Sequence, residues 1–307
     1  NMTSANSNVF VGKDAGGENT TGQKHVFIGY QAGKATTTNT DGFVAIGHSA
    51  GLATTSGGSI FIGNDAGKVN TTGSANISIG YQAYDNADTE TNNLAIGTNA
   101  IGAAVNGGEF NVGIGNASLD ALTSADKCVA IGYEAGSAIT TGGANTLVGN
   151  EAGKVITTGT FNTFFGFEAG DNFDAEGNNV GIGAAALGGA INGGEFNVAV
   201  GNNSLDALTS GDKNTGVGYE TLTAMTTGNN NVGFGHKAGF QIDTGTHNTC
   251  LGESSGGNCT SGDENIFVGR TAGTDAVANV TTADNQIVMG INAHTHAFIK
   301  IDWTVTS

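Results

Sequence analysis

Two histidines near the end of the chain have the type and spacing of a metal site. His294 and His296 are separated by one threonine, and residues two apart on a strand point to the same side. Three such strands around one axis would bring six imidazoles together, an octahedral set that suits a divalent transition metal such as iron. The alternative is two exposed histidines in a terminal loop, and the sequence alone favours that second interpretation.

Clustered carboxylates are another candidate for chemistry. Asp85, Asp88 and Glu90 form one cluster, and Asp263 and Glu264 form another. Carboxylate oxygens are ligands that Ca²⁺ prefers, but neither cluster has the spacing of a calcium loop, so solvated turns are the stronger interpretation. We find neither a Ser-His-Asp triad nor a nucleophile elbow, and nothing points to the carboxylate pair of a glycoside hydrolase.

Composition narrows the possible partners. The chain has 307 residues, 53 glycines, no proline and a formal net charge of −17. We predict no nucleic-acid partner, because phosphates require a basic surface, and no membrane insertion, because no apolar run is long enough. Cys128, Cys250 and Cys259 form no metal motif, and we predict that they fill buried space without forming disulfides.

The elements that must position these residues are set by a recurring glycine. The intervals are 16, 17 or 18 residues, which indicates one small unit stacked on itself as a solenoid. We predict two short strands and two turns in each coil, and sixteen coils would give a rod of about 75 Å. The marker glycines are Gly12, Gly29, Gly47, Gly63, Gly80, Gly97, Gly115, Gly132, Gly149, Gly166, Gly183, Gly201, Gly218, Gly235, Gly252 and Gly269.

The residues before each marker glycine predict a strand that is apolar on both faces. The first and third residues before it are large or β-branched, as in Ile62 and Ile60, and we predict that they form the inner core. The residue between them, such as Phe61, is never charged and is predicted to point outward. A strand apolar on both faces is buried on both, so we expect a partner chain along the whole length, in a parallel homo-oligomer.

Two further patterns strengthen the repeat. Asparagine recurs four residues before the marker glycine, as at Asn76 and Asn93, and stacked amides predict a ladder of hydrogen bonds along the axis. Residues 63–148 also align without a gap to residues 149–234, five coils to five coils. A duplication that keeps its register lengthens a shaft, whereas an active site does not normally need copying.

The repeated phrase, for example Asn76-Ile77-Ser78-Ile79-Gly80, closely resembles the head repeats of YadA-like trimeric autotransporter adhesins. It also resembles repeat shafts of bacteriophage and phage-like tail fibres, and the resemblance covers about residues 6–273. It implies an all-β fold, a left-handed β-solenoid (β-roll) assembled as a parallel homotrimer. The coil is longer here than is usual in the adhesin heads.

The end of the chain separates these two families. The period breaks after Gly273, which predicts a shaft over residues 1–273 and a C-terminal cap or tip over residues 274–307. No heptads of a coiled-coil stalk follow, and this favours the fibres. Endosialidase-type tailspikes and related fibres carry a C-terminal intramolecular chaperone that cuts itself off after a serine. Ser307 matches that autocleavage position; a chain boundary that happens to fall at a serine is the alternative.

The resemblance implies a structural protein of a virion or phage-like tail fibre, extracellular, which attaches to a host cell-surface glycan or protein. Its partners would be two identical chains and a baseplate or fibre connector protein. We expect no enzymatic activity, with autoproteolysis after Ser307 as the one candidate exception, and no cofactor, with a divalent transition metal at the trimer axis as the one candidate. The alternative is the head of a bacterial trimeric autotransporter adhesin, and a polysaccharide depolymerase is a less favoured third reading.

Overall fold

The computed structural model describes residues 7–37, 41–189, 192–275 and 278–290. Within these ranges the chain is an all-β, parallel solenoid of 17 three-residue strands, as the glycine period predicts, and none of its segments is a helix able to cross a membrane. The strands are β1 (Val9–Val11), β2 (Val26–Ile28), β3 (Val44–Ile46), β4 (Ile60–Ile62), β5 (Ile77–Ile79), β6 (Leu94–Ile96), β7 (Val112–Ile114), β8 (Val129–Ile131), β9 (Thr146–Val148), β10 (Thr163–Phe165), β11 (Val180–Ile182), β12 (Val198–Val200), β13 (Thr215–Val217), β14 (Val232–Phe234), β15 (Thr249–Leu251), β16 (Ile266–Val268) and β17 (Ile287–Met289).

Each strand pairs in parallel with the next strand in the chain, so that one sheet runs the length of the solenoid. The register never shifts: the second residue of β4, Phe61, lies beside Ser78 of β5, and Phe164 of β10 lies beside Gly181 of β11. Every position of a coil therefore forms a column parallel to the axis. The sheet continues past residue 273 into β17, which pairs with β16 after a longer connection.

The prediction of two strands per coil was wrong, because each coil contains one. After the strand the backbone still bonds from coil to coil, as from the Gly33 N–H to the Ala50 carbonyl (2.9 Å). The backbone of this segment does not adopt the extended conformation of a strand, because left-handed residues recur at every second position, with φ of 55° at Gln31 and 56° at Gly33. This alternation bends the chain into stacked turns, where a strand would need φ near −120°.

The predicted inner and outer faces of the strand were also wrong. The middle residue of each strand points into the solenoid: Phe27, Phe61 and Phe164 are buried, whereas the residues on either side of each are half-buried or exposed. The reason is the narrow interior of a coil of about 17 residues. It accepts one column of rings and small side chains from the strand, and the β-branched residues remain outside.

The interior column is completed by the residue six positions further along the chain. Where the middle strand residue is phenylalanine, that position is glycine, and a Cβ atom at Gly67 would lie 2.6 Å from the ring of Phe61. Where the middle residue is Ser78, Ala95, Gly113, Gly181, Ala199 or Gly216, the position six residues on is Tyr84, Ile101, Leu119, Leu187, Leu205 or Leu222, all buried. In these coils large and small side chains thus exchange places, whereas at Ala45, Ala130 and Gly233 the residue six positions on is glycine and neighbouring side chains fill the space.

The predicted asparagine ladder runs along the axis, but its partners are mainly backbone groups. The Asn93 N–H donates to Asn76 Oδ1 (2.9 Å), and Asn76 Nδ2 donates to the Glu90 carbonyl (2.7 Å). Direct amide-to-amide bonds occur in part of the chain, for example from Asn214 Nδ2 to Asn197 Oδ1 (3.2 Å). Each buried amide therefore satisfies polar groups of the next coil.

Candidate interaction surface

The most extended feature of the surface is the outward face of the sheet. We call the first and third residues of β1–β17 the outer strip. All are half-buried or exposed, and none is charged. Most are valine, isoleucine or leucine, with threonine at four first positions, Thr146, Thr163, Thr215 and Thr249.

The outer strip is large for an exposed apolar surface. Seventeen strands at a spacing of about 4.8 Å and three residues at about 3.3 Å give on the order of 800 Å². The largest apolar patch on a typical monomer is about 300–600 Å², and a stable protein interface buries about 800 Å² on each partner. The strip therefore has the size of an interface, and it forms a continuous band along the solenoid.

Charges lie beside the strip at the turns that follow several of the strands, including β8, β9, β13 and β14. Lys154 Nζ contacts Glu134 Oε2 (2.6 Å) and Glu151 Oε2 (3.0 Å), and Lys237 Nζ contacts Glu220 Oε2 (3.1 Å). The hydrogen bond from Lys154 holds the pKa of Glu134 below its ordinary value. These partly exposed pairs add little stability, but they mark the border between the apolar band and the acidic surface.

Stacked rings form a second border column, directly after the marker glycines. Tyr30 stacks on His48 of the next coil with ring centroids 5.2 Å apart, and Tyr219 stacks on His236 at 5.6 Å. The Lys13 ammonium lies 5.9 Å from the centre of the Tyr30 ring. The tyrosines thus pack along the axis and widen the apolar band on one side.

One coil carries a concentration of exposed rings that sequence reasoning missed. Phe161, Phe165 and Phe167 have exposed fractions of 63%, 56% and 53%, and all three belong to the coil of β10. We call these three residues the aromatic belt. Comparison of the two duplicated blocks could have revealed these rings, because the equivalent positions 86 residues earlier are Ala75, Ile79 and Tyr81. The same coil can therefore be built with much less aromatic surface.

Phe161 is also held in an unfavourable backbone conformation. Its φ is 58°, in the left-handed region that bulky residues rarely adopt. The fold imposes a similar angle on equivalent residues in other coils, such as Ala75 with a φ of 56°. A phenylalanine at this position therefore adds exposed area at a backbone angle that the fold also imposes on Phe110 and Phe196.

The acidic residues singled out from the sequence have structural partners. The buried Glu90 carboxylate accepts hydrogen bonds from the backbone N–H groups of Asp88 (3.0 Å), Thr89 (3.1 Å) and Gly107 (3.0 Å). Asp263 Oδ1 accepts from the Thr246 N–H (2.7 Å) in the preceding coil. These carboxylates close turns, and over the described ranges no cluster of three histidine, cysteine or acidic residues could hold a metal.

The cysteines are buried and form no disulfide, as predicted. Burial raises the pKa of the thiols of Cys128 and Cys259, so the reactive thiolate is disfavoured. The proposed metal ligands His294 and His296 and the proposed cleavage residue Ser307 lie outside the described residues. The predictions for these three positions stay predictions.

Comparison with family models, curated proteins and solved structures gives no match for this chain. The functional argument therefore depends on the geometry of the solenoid. What that geometry offers is a long uncharged band, bordered by ion pairs and stacked rings, on a chain whose net charge is −17.

Proposed function

We propose that this chain is the shaft of an extracellular tail fibre or similar appendage, which attaches a virion or phage-like particle to a host cell. In this proposal the solenoid is left-handed and three parallel copies associate side by side through their outer strips. The observation that carries it is the uncharged, apolar strip along all 17 strands. An exposed apolar band of this size requires a cover, and in a trimer the copies cover one another.

The charge distribution supports the same arrangement. The chain has a net charge of −17, so copies repel one another wherever their acidic turns meet. The outer strip contains no charged residue, so it is the face where copies approach with the least repulsion. If the outer strips face the trimer axis and the turns face outward, the acidic surface stays in water, where it keeps the assembly soluble.

Host attachment is assigned to the exposed turns, because loops on a rigid scaffold commonly carry binding. The ligand class is a cell-surface glycan or protein. A solenoid presents its turns at a repeating distance, and three copies triple their number. Weak contacts at single turns would then add up to strong attachment through multivalency.

Two measurements test the proposal. Sedimentation equilibrium of the purified chain should give three times the chain mass of 30.5 kDa, and electron microscopy should show rods about 75 Å long. A chain that stays monomeric at tens of micromolar would contradict the assembly.

Host attachment is tested separately. The fluorescently labelled chain should bind intact bacterial cells of a broad panel, and periodate or protease treatment of the cells should distinguish a glycan from a protein receptor. Binding to none of the cells would contradict host attachment.

A further inference from the structure

We infer that the aromatic belt is the centre of self-association, binding the same belt on other copies of this chain at the same height. The inference rests on the proposed assembly through the outer strip and names the residues that contribute most of its binding energy. Its evidence is the combination of exposed area, the comparison of the duplicated blocks and the position of β10 in the sheet.

The belt is the strongest candidate because of its exposed area. Three large rings of one coil are each more than half exposed, while Phe164 of the same strand is buried inside the solenoid. The belt residues therefore point away from the core that Phe164 helps to fill. Aromatic side chains that are buried near the centre of an interface typically dominate its energy.

The position of the belt fits a central anchor. Its strand, β10, has nine strands before it and seven after it in the sheet. Rows that are mainly valine, isoleucine and threonine extend from the belt in both directions along the outer strip, with one further exposed ring, Phe234 of β14. A rim of such residues excludes water from a central cluster and raises the contribution of that cluster to binding.

The comparison of the two duplicated blocks shows that the coil itself does not need the belt. Ala75, Ile79 and Tyr81 occupy the same positions in the coil of β5, whose strand pairs in the same register. Phe161 has the same left-handed backbone angle as Ala75, Phe110 and Phe196, so the three exposed rings together, rather than this angle, distinguish the coil of β10.

A second copy of this chain is the occupant that fits. The outer strip is continuous and repeats at the strand spacing of about 4.8 Å, and a parallel copy of this chain matches that repeat along its whole length. A rotation axis parallel to the solenoid places equal heights of the copies together. The belts then meet one another, and their rings can pack edge to face.

The first experiment replaces the belt by residues that the chain already uses. The triple variant Phe161→Ala, Phe165→Ile and Phe167→Tyr copies the coil of β5. The matched control is Phe110→Ala with Phe196→Ala, two exposed phenylalanines at the position of Phe161 in other coils. By sedimentation equilibrium we expect the belt variant to weaken self-association about 100-fold or more and the control to weaken it less than about 10-fold. Circular dichroism should show both variants folded.

The second experiment tests whether the belts meet. Thr163 is exposed at the centre of the belt, and Thr158 of the same coil is exposed at the far turn. Thr163→Cys should form disulfide-linked copies under mild oxidation, whereas Thr158→Cys should keep a free thiol. The native cysteines are buried, and Cys→Ser variants of them verify that they do not participate.

The outcomes separate the inference from the proposed assembly. If the unaltered chain stays monomeric, both are wrong. If it assembles but the belt variant assembles as tightly as the control, or Thr163→Cys gives no linked copies, the assembly stands and the belt is not its centre. Assembly that also requires Phe110 and Phe196 to the same extent would likewise overturn the inference.

Discussion

At the scale of single residues, the marker glycine answers two separate demands. The first is conformational: φ at these positions lies between +113° and +147°, a range that side chains disfavour. The second is steric, since a Cβ atom at Gly149 would press into the carbonyl group of Gly166 in the next coil. Both demands follow from coils stacked at the strand spacing, and together they explain why the glycine never varies.

We predict that Gly149→Ala destabilises the solenoid far more than Gly107→Ala. Gly107 has a φ of 102°, and a Cβ atom there would meet nothing within 4 Å. Its variant should lose only the conformational term, about 1–2 kcal/mol. The Gly149 variant adds a backbone collision and should lose more than about 4 kcal/mol or fail to fold. Denaturant unfolding measures both, and equal losses would show that the stacking contact is unimportant.

At the scale of elements, the sequence predicts the strand before each marker glycine and its register, but it predicted a second strand that is absent from the described coils, and it does not show which face points inward. Period-two alternation identifies faces only when one is polar, and here Phe61 and its neighbours Ile60 and Ile62 are all apolar. The missing information lies six residues away, where glycine follows each middle phenylalanine and leucine follows Gly113, Gly181 and Gly216. Because the two side chains share one interior volume, the alternation of large and small residues between these two positions would have identified the interior column. The belt likewise needed the comparison of two copies.

The ladder between elements yields a prediction at Cys128, which occupies an asparagine position. Its N–H donates to Asn111 Oδ1 (2.9 Å), and its sulfur lies 3.3 Å from the Gly142 carbonyl oxygen. In the duplicated block Asn214 occupies this position, and its Nδ2 donates to the Gly228 carbonyl (2.8 Å). We expect Cys128→Asn to restore the stronger hydrogen bonds and to stabilise the chain by about 1 kcal/mol.

The control for this prediction is the same substitution in the interior column. Cys250 is the middle residue of β15 and is buried, and its strand neighbour Phe267 is buried as well. Cys250→Asn should destabilise the chain by about 2 kcal/mol, because the amide would be buried in apolar surroundings. Thermal unfolding of both variants measures these two changes in stability. A loss of stability in Cys128→Asn would mean that this coil packs better around the cysteine sulfur than around an asparagine amide.

At the scale of the whole molecule, the duplication makes the shaft modular. Each coil contacts mainly its neighbours, so stability is close to a sum over coils and their interfaces. Removing residues 149–234 joins Val148 to Gly235, and removing residues 63–148 joins Ile62 to Gly149. Both junctions reproduce the native sequence of a strand end followed by a marker glycine.

We therefore expect both deletions to fold into solenoids shortened by five coils, or about 24 Å. The deletion of 149–234 removes the aromatic belt and the exposed Phe234, and the deletion of 63–148 keeps both. Small-angle scattering should give the same shortened length for the single chains. Sedimentation should show assembly for the chain that keeps the belt and a much weaker association for the other. Since the two remaining strips have equal lengths, equal assembly would mean that strip length, rather than the belt, controls association.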